Sequence, residues 1–380
     1  MVGKRLLVLT SATGGGHDVH ARATVEWCGK LFGNTVGVKV DHALENSHPV
    51  HRLGLQTYHR IQTKLPVLQH LYFHLIELQE LFNRGGIRFG QEYYEKLLSD
   101  FRPDAILSVH DCLNLGYLEV AKSVLGDTVS FGTYCTEFSG GYGFSRNWIN
   151  RGVDFFFGRT SEVAEEAARR GVDPSKIHVA GHWAPLSFYE PRLSTLERER
   201  GLEELGLEPK RFTVLLYTGG AGYQNHQRFL DALLPLHHEL QVIALCRNPL
   251  IERELSTWHG RHPSFLLRGI PFTDKMSRFL QLANVVVSRP GSATCGEALL
   301  SGCPVILDTL GGIMPQEMLT WRYLKNHNLA QRISREGELT RTLRKWMDHP
   351  KWYLRFKHTA ALRPSDPTPE AFLKLLLGVN

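Results

Sequence analysis

Nothing in this sequence approaches about eighteen consecutive apolar residues, so no transmembrane helix is expected. The opening MVGKRLLVLT is too short and too quickly polar for a secretory signal. Cysteine is sparse, with Cys28, Cys112, Cys135, Cys246, Cys295 and Cys303 scattered and no CxxC pair among them. That spacing speaks against a disulfide framework or a structural zinc site and for reduced thiols in a cytosol. No HExxH occurs among the 19 histidines, and no Asp-x-Asp element stands ready to chelate a divalent ion beside a diphosphate. No metal or other cofactor is therefore expected. Zinc fingers, RNP-type aromatic signatures and dense Lys/Arg runs are also missing, which argues against nucleic acid as a partner. GxGxxG is absent too, and with it the dinucleotide fingerprint of a dehydrogenase.

What is present is a net charge of +6 on a chain with 42% hydrophobic and 22% charged residues. The charge favours acidic partners such as nucleotide phosphates or an anionic membrane surface. At 380 residues the chain is too long for one ordinary core, so two domains are expected. Short apolar runs alternate with helix-like segments. The first set is LLVL (from Leu6), VGVKV (Val36), AILSV (Ala105), VSFGTY (Val129), DFFFG (Asp154) and IHVAG (Ile177). The second is FTVLLYTGG (Phe212), LQVIALC (Leu240), SFLLRG (Ser264), NVVVSRPG (Asn284) and PVILDT (Pro304). This is the signature of an α/β protein with parallel sheets. The charged stretch EPRLSTLERERGLEELGLEPK between the sets reads as a linker and a first helix. The expected organisation is two Rossmann-like domains, residues 1–195 and 196–360, with parallel sheets facing a central cleft. Residues 361–380 form a terminal helix that can pack back on the first domain.

Three glycine-rich strand ends carry the chemistry. In TSATGGGHDVHARA the glycines free the backbone to approach a ligand, although a tight strand-to-helix turn with no ligand is also compatible. YTGGAG follows the first strand of the second set. The richest stretch is VVVSRPGSATCGEALLSGCPVILDTLGGIMPQE, Val285 to Glu317. There the amides of Gly291, Ser292 and Ala293 can hold a diphosphate at a helix start. Glu297, one turn into that helix, can accept two vicinal ribose hydroxyls. Gln316 and Glu317, after the next strand, can bond sugar hydroxyls. Between Val50 and Leu98 the chain is rich in Leu, Tyr, Phe and His, interleaved with Arg52, Arg60, Lys64 and Arg84. Ordinary helical core packing and a membrane-interface segment both fit that pattern.

SRPGSATCGEALLSGCPVIL followed by PQE resembles the donor signature of GT-B glycosyltransferases of the monogalactosyldiacylglycerol synthase and processive diacylglycerol glucosyltransferase family. The lipid-linked N-acetylglucosaminyltransferase of peptidoglycan synthesis is also similar. TSATGGGHDVHARA, YTGGAG, CRNPLIEREL, GIPFTDKMSRFLQLANVVVSRPG and TEFSGGYGFSRNWINRGVDFFF resemble further motifs of that group, in order along nearly the whole chain. The resemblance implies phosphate contacts at Gly219, Gly220 and Gly291–Thr294, with Arg247 a further one. It implies ribose at Glu297, uracil near Phe272 and Thr273, and the donor sugar near Gln316 and Glu317. The GGGH loop, with Gly15 and Gly16, would face a lipid acceptor. His17 would lie near the reacting hydroxyl, as general base, as a positioning group or as a structural residue. His110 and Glu137 are weaker candidates for acceptor binding or for orienting His17. The chain departs from the group at Pro315 and Thr320, where Gly and Asn are usual, and at Glu137, where Asp is usual.

The function so implied is inverting transfer of a hexose from UDP-galactose or UDP-glucose to a membrane lipid, above all diacylglycerol, giving a β-glycosyl glycolipid. It implies a cytoplasmic protein held peripherally on the inner face of a membrane. A UDP-sugar epimerase of the same architecture and a non-catalytic nucleotide-sugar or lipid-binding protein are the competing readings.

Overall fold

The computed structural model describes residues 3–13, 15–64, 68–78, 83, 85–217, 222–246, 248–361 and 367–379. By its contacts the chain forms two compact units. The first comprises residues 1–186, 314–320 and 366–380, the second 187–313 and 321–365.

The first unit is built on six strands: β1 (Lys4–Thr10), β2 (Val36–His42), β3 (Ala105–Ser108), β4 (Ser130–Cys135), β5 (Phe155–Gly158) and β6 (Ile177–Val179). They pair in the order β2-β1-β3-β4-β5-β6, and every pairing is parallel. Leu6, Leu7, Val8 and Leu9 are all fully buried, as a continuous apolar run requires when helices cover both faces of a sheet. Leu7, Leu9, Ile106, Phe131 and Phe156 share one core with Trp148 and Leu319. Strand order reverses between β1 and β3, so the loops leaving those two strands diverge to opposite faces and leave a crevice at their carboxyl ends.

The helix Pro369–Leu377 packs back on this unit, with the Phe372 ring 5.5 Å from Phe157. Gly132 on β4 makes room for it, since a Cβ there would stand 3.0 Å from Leu376 Cδ1 and 3.1 Å from Phe157. Residues 314–320 join the first unit through Ser139, whose hydroxyl donates to Leu319 O. Gly143, at φ +97°, lies so close to the Pro315 carbonyl that no side chain fits.

The second unit repeats the plan with β7 (Phe212–Tyr217), β8 (Leu240–Leu245), β9 (Leu267–Ile270), β10 (Val285–Ser288), β11 (Val305–Asp308) and β12 (Ala330–Ile333). The order is β12-β11-β10-β7-β8-β9, again all parallel, with the reversal between β10 and β7. Eleven of these twelve strands coincide with apolar runs read from the sequence. The exception is β12, whose AQRI buries only Ala330 and Ile333 and exposes Gln331 and Arg332. An edge strand needs no continuous apolar run, so the sequence pattern passes over it.

Candidate active site

Because β1, β3 and β4 are parallel neighbours, their following loops emerge at one edge of the first sheet. The loop after β1 is tied down by Glu45, whose Oε1 accepts from Ser11 Oγ at 2.9 Å and from Ala12 N at 2.6 Å. Asp18 accepts from Thr10 Oγ1 at 3.3 Å and pairs with His42 Nε2 at 3.0 Å. Gly15 turns the chain at φ +83° with open space where a Cβ would be, and Gly16 begins the helix Gly16–Phe32. His17 therefore sits in the first helical turn. Its Nδ1 lies 2.7 Å from Val109 O, the carbonyl just beyond β3. A carbonyl only accepts, so Nδ1 carries the proton and Nε2 keeps a lone pair. Burial, then the neighbouring His110 ring, push the His17 pKa down to about 3 against the partial offset of Asp111. His17 is thus neutral throughout the physiological range.

The loop after β3 brings His110 beside it, with ring centroids 4.3 Å apart. His110 is buried and has a partner at each nitrogen. Nε2 is 2.8 Å from Thr13 Oγ1 in the glycine loop, and Nδ1 is 3.0 Å from Asp111 Oδ1. Cys112 N donates to Asp111 Oδ1 at 2.9 Å and also lies 3.1 Å from His110 Nδ1. Burial would raise the Asp111 carboxyl, but His110 more than offsets this and holds it well below the usual carboxylate range. Asn114 stitches the loop down by donating to His110 O and Asn147 O and accepting from Thr133 Oγ1 at 2.8 Å.

Glu137, beyond β4, is buried, and its pKa is pushed up to about 8 by burial first and by Asp111 next, with Arg159 opposing. It is a protonated carboxyl at neutral pH. Arg159 is itself buried, lies 4.5 Å over the Phe138 ring, and approaches His20 Nε2 at 3.2 Å. Among the described residues, His110, Asp111 and Cys112 offer three metal-ligand atoms within 4.8 Å of one another. Burial and Asp111 raise the Cys112 thiol well above its ordinary value.

In the second unit the helix Ser292–Leu300 starts at Gly291, just past the reversal between β10 and β7. Its N-cap Gly291 has no side chain to cap it, and the amides of Ser292, Ala293 and Thr294 begin a helix N-terminus of the kind that binds anions. Glu297 is buried one turn along. Phe272 is 79% exposed beyond β9, and Thr273 Oγ1 there accepts from Lys275 N at 3.1 Å. Gly219, Gly220 and Arg247 lie outside the described residues, as do Arg84 and the Lys64 side chain. Gln316 and Glu317 fall within the first unit, not with Glu297. Glu317 accepts from Met314 N at 2.9 Å across the start of the helix Pro315–Asn326.

Residues 17–182 match the monogalactosyldiacylglycerol synthase family, and residues 215–335 match the C-terminal domain of glycosyltransferase family 28. Monogalactosyldiacylglycerol synthase 1 of Arabidopsis thaliana is 26% identical over 98% of this chain and 70% of its own length. The processive diacylglycerol beta-glucosyltransferase of Bacillus licheniformis is 21% identical over 80% of this chain and 77% of its own. MurG of Acinetobacter baumannii shares the fold, with a TM-score of 0.63 at 12% identity over 99% of this chain and 100% of that one. Over residues 17–182 the chain is similar to the monogalactosyldiacylglycerol synthase family of glycosyltransferases, and its fold is GT-B.

Within this glycosyltransferase the structure gathers His17, His110 and Glu137 at one sheet edge, three residues far apart in sequence. It adds Thr13, Asp111 and Arg159, which the sequence reading passed over. Asp111 was signalled only by following His110, and Thr13 only by its place in the glycine loop. Pro315, a departure from the group's pattern, stands at the first position of its helix, where proline's missing N–H costs nothing.

The raised Glu137 carboxyl makes a spectroscopic prediction. At pH 7 the protein should show an infrared carbonyl band of a protonated carboxyl that is lost in Glu137→Gln. The sign for stability follows from a folded pKa of about 8 above the unfolded carboxylate value. Glu137 favours the fold fully below that unfolded value, and the contribution fades as pH rises through about 8. An urea midpoint that falls between pH 5 and 8 no more steeply than in Glu137→Gln would contradict the assignment.

Proposed function

We propose that the protein is an inverting, UDP-sugar-dependent hexosyltransferase whose acceptor is a membrane lipid of the diacylglycerol type and whose product is a β-glycosyl glycolipid. The observation that carries the donor half of this reading is Glu297, buried one turn into an uncapped helix at the strand-order reversal of the second sheet. A carboxylate there suits the vicinal hydroxyls of a ribose, while the helix-start amides suit the diphosphate joined to it. The acceptor half is supported by the two relatives described above, both of which carry diacylglycerol in their names.

In this reaction an acceptor hydroxyl attacks the anomeric carbon from the face opposite the diphosphate, so configuration inverts. Negative charge builds on the leaving UDP, and preorganised amides and the helix dipole stabilise it without a metal ion. The glycine loop after β1 serves the acceptor. His17, neutral and with a lone pair at Nε2, accepts a hydrogen bond from the attacking hydroxyl and orients it. A base role asks for a proton affinity that burial and His110 lower, whereas orientation asks only for the lone pair. Gln316 and Glu317 serve the donor sugar in this reading, and Phe272 and Thr273 the uracil.

No helix among the described residues is long and apolar enough to cross a membrane. The helices Pro49–Lys64 and Gln69–Glu77, together with Leu78, instead expose Leu53, Leu71, Leu75 and Leu78, near the exposed Arg52 and Arg60. Leucines beside arginines suit peripheral binding to an anionic bilayer on its cytoplasmic face.

Incubation with radiolabelled UDP-galactose, UDP-glucose or UDP-N-acetylglucosamine and diacylglycerol vesicles should yield a labelled lipid. Interconversion of free UDP-sugars with no lipid product would instead identify an epimerase. Glu297→Ala should weaken UDP binding about tenfold or more, as loss of hydrogen bonds to a charged group does, and unchanged affinity by calorimetry would remove the ribose assignment. His17→Ala should lower kcat about 100-fold or more and spare UDP affinity. Near-normal turnover would rule out its contact with the acceptor. Sedimentation with anionic vesicles should weaken in added salt and in a Leu71→Asp, Leu75→Asp variant. Binding indifferent to both would contradict the membrane surface.

A further inference from the structure

The net charge of +6 is not spread evenly along the chain. Six lysines and arginines and a single acid, Asp348, stand between Arg341 and His358. This stretch falls on the helices Glu336–Asp348 and Pro350–Ala361 of the second unit. The inward side of the Pro350–Ala361 helix is committed to the core. Tyr353 packs its ring 5.4 Å from Phe212 and donates from its hydroxyl to Asn284 O at 3.1 Å, and Phe356 lies 5.2 Å from Trp346. The outward side is left with Lys351, Arg355, Lys357 and His358, all exposed, and with two large apolar side chains among them. Trp352 is 45% exposed and Leu354 is 52% exposed. None of the other six tryptophans is exposed.

We propose that this outward face is a second bilayer contact, carried by the second unit, in which Lys351, Arg355 and Lys357 meet anionic lipid headgroups while Trp352 and Leu354 enter the interfacial layer.

The charges point to an anionic partner. Among the described residues no carboxylate pairs with Lys351, Arg355 or Lys357. Arg355 donates to the neutral Asn328 Oδ1 at 3.2 Å, and Lys357 lies 5.8 Å over the Tyr353 ring. Arg344, on the preceding helix, has Glu239 at 3.6 Å instead. Cations gathered on one face without counter-charges attract a surface of the opposite sign. Lys351, Arg355 and His358 follow one another at helical spacing along the crest, with Trp352 and Leu354 on either flank.

The apolar pair decides which anionic surface fits. A nucleic-acid strand rewards cations and aromatic faces open for base stacking, but an exposed leucine gains nothing from it. Lys345 Nζ also lies 3.7 Å from the Trp352 ring centroid and covers one face of the indole. A bilayer interface takes both side chains. The indole settles at headgroup level, the leucine reaches the acyl boundary, and the lysine and arginine stems let their charges stay among the phosphates.

This inference rests on the bilayer partner proposed above but on none of the residues that carried it, so the two can fail separately. Because Trp352 is the exposed tryptophan, its fluorescence reports the contact directly. Vesicles of phosphatidylserine and phosphatidylcholine with brominated acyl chains should quench the emission of the full chain, and Trp352→Phe should remove most of that quenching. In sedimentation with the same vesicles, Lys351→Glu combined with Arg355→Glu should weaken binding about tenfold or more, with the fold checked by circular dichroism. Equal quenching in Trp352→Phe, or full vesicle affinity in the charge-reversed protein, would overturn the contact and leave the leucine helices of the first unit as the membrane surface. If charge reversal instead abolishes binding of a single-stranded oligonucleotide while vesicle affinity stays full, the face belongs to nucleic acid and the proposal falls. A protein that binds no anionic vesicle at all would overturn the bilayer reading of both units.

Discussion

The hydrogen-bonded pairing of β1 with β3, in parallel and in the register Leu9 opposite Ser108, is the constraint on which the first unit's site depends. It aligns the carboxyl ends of two strands whose sequence positions are about a hundred residues apart. The glycine loop then starts beside Val109 and His110, and His17 can reach Val109 O while Thr13 reaches His110 Nε2. Leu7 and Leu9 pack in one core with Ile106 of β3, so the pairing that joins these strands also builds the core beneath the site. Stability and site geometry are set by the same pairing.

Burial then sorts the titratable groups gathered at this edge. A dry environment disfavours charge on each of them, and which group stays charged depends on its neighbours. Asp111 keeps its charge because His110 lies against it. Glu137, with Asp111 close by, keeps its proton instead. His17 is driven neutral by burial and by the His110 ring. The result is a cluster with one anchored carboxylate, one protonated carboxyl and two imidazoles with different hydrogen-bond partners. Such division of roles among chemically similar groups is a common feature of acid–base sites.

The second unit solves a different problem with the same architecture. Its reversal of strand order, between β10 and β7, places the uncapped start of the helix Ser292–Leu300 at the carboxyl edge of the sheet. A helix start carries partial positive charge at no cost in side-chain entropy, which suits the binding of an anion. In the first unit, Glu45 holds Ser11 and Ala12 at the start of the glycine loop, and Asp18 beyond it reaches back to Thr10.

The sequence by itself determined the α/β class, two sheets, eleven of the twelve strands and the glycine-rich strand ends, because these follow from local apolar runs and from backbone freedom at glycine. It also singled out His17, His110, Glu137 and Glu297, whose neighbours in sequence form recognisable motifs. It did not reveal β12, since an exposed edge strand leaves no apolar run. Nor did it reveal that residues 314–320 pack with the first unit, which is decided by contacts such as Ser139 with Leu319 O. The link from Thr13 to His110, the separate protonation states of Asp111 and Glu137, and the burial of Arg159 came only with the tertiary structure. Those properties depend on distances of a few ångströms between residues remote in the chain, and on exclusion of water around them, neither of which a linear pattern encodes.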